Sequence, residues 1–329
     1  MIQHQPLGWG SLSRWGVVLA LLCVSLAAVA QDTAKFTFNP PDGLAYVETS
    51  RTKYTTTFSF GGHSENEVRE QLTKTKTEIH KTAAGFTVTE TLLSASETKD
   101  GADAEIDSYL KASLNVPVSY TIAKDGKLLS TSGLDKVVAN CKKKMSADDL
   151  KMMGYLVSEK GMLDGLKSGW YENGQSLIGR TVKTGDSWTI TSSDPMPNGK
   201  KDNLSITTKM VGKQEHGGRD VVHLQYSRRH DLKLMGEARV AMIKAMLQIG
   251  NDGEQPNIRV KEITDEGEMI VDPTTLQAVS RSSSTSTVTT VSGPEGKTLE
   301  ITEQTDEETS TEDNPGVFTG INMASPAKG

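Results

Sequence analysis

The sequence predicts a β-rich α+β protein, with long antiparallel strands forming an open, curved sheet or half-barrel around a central helical layer. Two observations predict the strands: threonine-rich segments whose apolar residues alternate with polar ones, and Gly-containing turns between them. One predicts the helices: between Gly133 and Thr191 the apolar spacing changes from two to three and four.

Residues 1–30 stand outside this pattern. Arg14 precedes an apolar run from Val17 to Val29, and Ala28-Val29-Ala30 is a small-x-small cleavage site. These features predict a secretory signal peptide cut after Ala30, and hence a secreted or periplasmic bacterial protein. An uncleaved anchor is the alternative, but the run is shorter than the ~20 residues that span a bilayer. A lipidated Cys23 would need a small residue before it, where Leu22 stands. Processing leaves 329 − 30 = 299 residues and, with Arg14 lost, moves the net charge from −6 to −7. Such mild acidity offers no electrostatic reason to bind nucleic acid. No later stretch is apolar and long enough to form a transmembrane segment.

Residues 31–43 read as a polar lead-in ending in Pro40-Pro41. A single β-rich domain is expected over residues 44–309. In the first strand Leu44, Tyr46, Tyr54, Phe58 and Phe60 share one parity, and Arg51, Lys53, Thr55 and Thr57 hold the other. Gly61-Gly62 turns the chain, and residues 67–81 and 86–98 form a hairpin. The acidic residues 99–107 read as a solvated loop, with calcium binding as the alternative. Residues 116–123 and 127–130 pair around Asp125-Gly126, a turn that favours positive φ.

The helical segment covers about residues 134–178. Leu134, Val137, Val138 and Cys141 lie at helical spacing, and Ser146 with Asp148 and Asp149 starts a second helix. Cys141 is the only cysteine left after processing, so no internal disulfide can form; it is a buried helix residue, a reactive thiol or a dimer point. Residues 182–191 turn into a strand that carries Trp188. Residues 204–211 and 221–229 form a hairpin through Gly217-Gly218. Residues 234–249 read as an amphipathic helix, with a strand as the alternative. The remaining strands are residues 258–264, 268–272, 276–291 and 297–303, with Glu266-Gly267 as one of their turns. The Ser/Thr run 280–290 reads as a long exposed strand, and residues 310–329 as a loosely ordered tail.

The motifs exclude more than they identify. Gly174-Gln175-Ser176-Leu177-Ile178-Gly179 is one residue too long for a nucleophile elbow. No His-Glu-x-x-His, Cys-x-x-Cys or phosphate-binding glycine loop is present. His216, His223 and His230 are spaced by seven, and an odd spacing in a strand sends neighbours to opposite faces. Asp194 and Asp202 could approach in space. No cofactor and no metal are expected, and the chain is not expected to be an enzyme.

The expected function is non-catalytic binding of an apolar small molecule, such as a lipid, or of an envelope protein. Met152, Met153, Trp188, Tyr46 and Phe58 are the candidate ligand-binding residues, placed around a cavity beneath the helical layer. A cell-envelope structural or interaction module without a small ligand is the alternative, and a hydrolase a third.

Val182-Lys183-Thr184-Gly185-Asp186-Ser187-Trp188 after a helical middle, and the closing strands Gly267-Glu268-Met269-Ile270-Val271-Asp272 and Leu276-Gln277-Ala278-Val279, resemble an uncharacterised family of secreted bacterial proteins, the domain-of-unknown-function family 6263. The resemblance spans about residues 44–309. It implies no activity and no functional residue. More distantly, the strand-rich plan with an inserted helical layer resembles the half-barrels of periplasmic lipoprotein carriers, a likeness of fold alone.

Overall fold

The computed structural model describes residues 32–246, 257–292 and 298–313. The segment expected to be a signal peptide and most of the expected tail lie outside these residues, as do the last residues expected for the 234–249 helix.

The alternating segments form very long strands. β2 (Leu44–Phe60), β3 (His63–Lys81) and β4 (Gly85–Lys99) follow one another through tight turns. The short β5 (Ala102–Ala104) lies within the expected acidic loop and helix α1 (Ser108–Ser113) follows it, capped by Asp107, which accepts from the Tyr109 and Leu110 amides. β6 (Val118–Ala123) and β7 (Leu128–Ser132) form the Asp125-Gly126 hairpin.

The helical layer follows as α2 (Leu134–Lys144), α3 (Ala147–Met153), a 3₁₀ turn (Gly154–Val157), α4 (Glu159–Trp170) and a π turn (Tyr171–Gln175). Ser146 and Ser158 cap α3 and α4 through the Asp149 and Gly161 amides, both at 3.0 Å. β8 (Thr181–Lys183), β9 (Ser187–Pro195), β10 (Lys201–His216) and β11 (Arg219–Arg229) lead to helix α5 (Leu232–Met246). β12 (Asn257–Val271), β13 (Ala278–Ser292) and β14 (Thr298–Asp313) complete the chain.

One antiparallel sheet takes in twelve strands in the order β7-β6-β4-β3-β2-β14-β13-β12-β11-β10-β9, with β5 added to β4. It is open, because β7 and β9 do not pair. Helix α4 packs against both of these end strands, so the segment that joins the two ends in sequence also covers them in space. This protects backbone edges that would otherwise invite pairing with another chain.

The core lies where the helical layer and the N-terminal segment meet the sheet. Phe36, Met210, Leu224 and Val271 form one buried cluster with Leu177, and Phe38, Ile79, Phe86 and Ile122 form another against Leu166 and Trp170. Val137, Cys141, Met145 and Val157 fill the space between helices.

Several expectations are corrected. The lead-in is part of the fold: β1 (Thr33–Lys35) pairs with β8, and Phe36 and Pro40 are fully buried. Ala34, Phe36, Phe38 and Pro40 are all buried, so every second residue of this segment enters the core. Glu266-Gly267 is not a turn but the middle of β12. Gly267 is there because a Cβ would lie 2.4 Å from the Ser282 carbonyl oxygen and 2.6 Å from the Tyr226 hydroxyl. The Ser/Thr run is a central, half-buried strand paired on both sides rather than an exposed one. β14 runs on through Asp313 and pairs with β2 to that point, so residues 310–313 belong to the sheet.

Candidate functional site

Antiparallel neighbours share a face, so the register places Tyr46 and Glu48 of β2, Glu90 of β4, Tyr120 of β6, Arg281 of β13, and Glu307 and Thr309 of β14 on the face that α4 covers. Between these residues and α4 lies a cavity of about 340 Å³. Leu166, Gly169 and Trp170 of α4 and Asn173 of the π turn form its roof, and Met269, Leu276 and Ala278 its apolar wall. Trp170 is fixed in place: its indole N–H donates to the Gly126 carbonyl at 2.7 Å, and its ring meets Phe38 edge-on with centroids 5.1 Å apart.

The sheet also gives the cavity a charged wall, with Arg281 directly beside Met269 across the β12–β13 pair. Glu90 accepts a hydrogen bond from the Tyr120 hydroxyl at 2.7 Å, and Glu307 accepts one from Ser50 at 3.0 Å. The Arg281 Nε donates to the Tyr226 hydroxyl at 3.2 Å. Among the described residues no side-chain hydrogen bond engages the Glu48 carboxylate. Burial pushes the Glu90 carboxyl above its ordinary range, although the Tyr120 hydrogen bond opposes this. Burial also raises Glu48, with the charges of Glu90 and Glu307 adding to the effect and Arg281 working against it. The Tyr120 hydroxyl is pushed well above its usual value by burial and by Glu90.

A larger hollow of about 1020 Å³ lies on the other face of the sheet. Its lining is hydroxylic and charged, including Ser282, Ser284, Arg51, Glu70, Glu266 and Glu268. Many of these groups are already engaged: Arg51 meets Glu70 at 3.3 Å, His223 meets Glu268 at 3.0 Å, and Ser284 donates to Asp306 at 2.7 Å.

The candidate residues do not converge. Tyr46 lines the inner cavity, but neither cavity is lined by Met152, Met153, Trp188 or Phe58. Met153 packs beside the Cys141 cluster, and Trp188 packs on Met210 and Ile206 with Arg180 over its ring at 5.5 Å. Phe58 is 39% exposed near the β2–β3 turn. Tyr46 and Phe58 share a face of β2, and of the two only Tyr46 lines the inner cavity. The cavity's charged wall was missed because Glu48, Glu90 and Glu307 become neighbours only through strand register.

A buried ionic chain connects the sheet to the end of α4. His230 lies 2.7 Å from Asp202 through Nδ1 and 3.2 Å from Asp265 through Nε2. Arg228 meets Asp265 and Glu172, each at 3.4 Å. Ser168 bonds to Glu172, to Ser192 and, through a very short contact, to Asp194. Asp194 and Asp202 are cross-strand partners. Both ring nitrogens of His230 are occupied by carboxylates, and the bonds of Ser168 go to hydroxyl and carboxylate groups rather than to the imidazole. The described residues contain no group of three or more side chains able to hold a metal ion, and no helix long and apolar enough to cross a membrane.

The fold is thus that of a β-rich α+β protein whose open antiparallel sheet is flanked by a helical region. Residues 72–214 match a family of unknown function, DUF6263. That match takes in Val182 to Trp188 and stops short of the Gly267 and Leu276 strands. No curated protein matches the chain. Among solved structures, lipovitellin, described for its lipid–protein interactions, aligns over 86% of this chain at 10% identity and a TM-score of 0.41. The chain spans 27% of the length of that lipovitellin chain. A mutant of the Rh. blastica porin aligns over 79% of this chain and 99% of its own, at 9% identity and a TM-score of 0.20. Pseudomonas aeruginosa OccK2 (OpdF) aligns over 82% and 99%, at 6% identity and 0.22. At these TM-scores none of the three bears on function.

Proposed function

We propose that this chain is a non-catalytic binding protein that holds a small amphipathic molecule in the cavity between the sheet and α4. The observation that carries the reading is the joint lining of that cavity by apolar and charged groups. Leu166, Trp170, Met269 and Leu276 offer the first, and Glu48, Glu90, Glu307 and Arg281 the second. Its volume of about 340 Å³ falls in the range of small-molecule sites. The occupancy of both His230 nitrogens by carboxylates supports a structural rather than a catalytic role for that histidine. The N-terminal segment, read as an export signal cleaved after Ala30, supports a secreted or periplasmic setting.

The test is native mass spectrometry of the mature protein purified from its own host, beside a Gly169→Leu variant. A Cβ at Gly169 meets nothing within 4 Å, so leucine extends into the cavity without a backbone clash. Removing a glycine from a helix also favours the helix by about 1 kcal/mol. A stoichiometric small-molecule adduct on the wild type, lost in Gly169→Leu at undiminished stability, is the expected result. A clean unliganded mass for the wild type overturns the reading and turns the search to envelope proteins.

A further inference from the structure

We infer that the charged wall of the inner cavity receives an organic ammonium group, so that the ligand is an amphipathic amine. This rests on the reading of the cavity as a ligand site.

Three carboxylates, Glu48, Glu90 and Glu307, face the cavity against one guanidinium, Arg281. Arg281 holds the Tyr226 hydroxyl through Nε and its charge acts on Glu307 and Glu48, but one guanidinium offsets only one of the three carboxylates. Glu90 and Glu307 each hold a hydroxyl donor, but no side-chain hydrogen bond reaches Glu48 among the described residues. The wall therefore has more negative charge than its own groups compensate. An unpaired buried carboxylate is costly, and burial raises Glu48 and Glu90 accordingly. A cation bound between them would relieve both.

The rest of the cavity suits an organic cation better than an inorganic one. Tyr46, Tyr120 and Trp170 line it, and aromatic faces attract ammonium groups. The carboxylates stand on three separate strands, and the described residues form no metal-holding group. The cavity is also far larger than one ion requires. An anionic ligand would meet three like charges, and a neutral one would leave Glu48 as it is.

The probes are 2-phenylethylammonium, its neutral counterpart 2-phenylethanol, and 3-phenylpropanoate. They are titrated calorimetrically into the mature protein stripped of any adduct. The ammonium ion is expected to bind at least tenfold more tightly than the alcohol, and the carboxylate not at all. Glu48→Gln and Glu90→Gln should each weaken the ammonium ion at least fivefold and leave the alcohol unchanged, a pattern that general unfolding would not produce. Equal binding of ammonium ion and alcohol, both lost in Gly169→Leu, overturns the cationic class and keeps the cavity as the site. A neutral or anionic native adduct lost in Gly169→Leu does the same. Failure of all three probes, with a clean native mass, overturns both readings.

Discussion

The imidazole Nδ1 of His230 lies 2.7 Å from the Asp202 carboxylate, and the same ring reaches Asp265 at 3.2 Å through Nε2. One residue beyond β11 thus links β10 to β12. Burial alone would lower the imidazole pKa, but hydrogen bonds to the two carboxylates and their charges outweigh it and raise the value to about 9.

A raised folded-state value fixes the sign of the pH dependence. The protonated clamp contributes its full stability below the unfolded histidine value near 6.5, and loses it as pH rises through about 9. The contribution is about 3 kcal/mol at most. Urea midpoints should therefore fall between pH 7 and pH 10, and His230→Gln should flatten that slope while lowering stability at pH 7. An unchanged slope in the variant would rule out the clamp as its source.

The N-terminal segment should matter to stability despite its polar sequence. Phe36 is fully buried against Leu224 and Val271, and deleting a buried aromatic side chain costs about 3–5 kcal/mol. Phe36→Ala should lower the urea unfolding free energy by that amount. A loss under 1 kcal/mol would show that the segment merely rests on the core.

Gly267 permits the close approach of Tyr226 and of the β13 backbone. A Cβ there would stand 2.4 Å from the Ser282 carbonyl oxygen. Gly267→Ala should destabilise by about 1–3 kcal/mol. Tyr226→Phe should not rescue it, because the tighter contact is with backbone. Rescue by that second change would place the strain on the hydroxyl instead.

Cys141 is fully buried in the helical layer. Burial, followed by the charge of Asp107, raises its thiol pKa, so the nucleophilic thiolate is disfavoured twice. The native protein should resist a thiol reagent such as 5,5′-dithiobis(2-nitrobenzoic acid), and the unfolded chain prepared from residue 31 onward should release one equivalent. Rapid labelling of the folded protein would restore the reactive-thiol reading.

Local pattern determined a good deal by itself. Alternation in β2 identified the strand, because one face of a pleat meets apolar atoms and the other meets water, but Tyr54, Phe58 and Phe60 on its apolar face stay exposed. Asp125-Gly126 set a hairpin, and Ser146 a helix start, because turn and cap chemistry depend on a few adjacent residues. Tertiary structure decided what depends on neighbours distant in sequence. Gly267 has the local signature of a turn, and only Tyr226 and Ser282 across the sheet show that it lets strands pass closely. Ala34, Phe36, Phe38 and Pro40 alternate with polar residues in a short stretch, and only the pairing of β1 with β8 shows that it enters the core. Glu48, Glu90 and Glu307 look like solvated charges on three exposed-looking strands. Register and the roof formed by Leu166 and Trp170 bring them into one cavity, because desolvation is a property of the assembled surface and not of the chain.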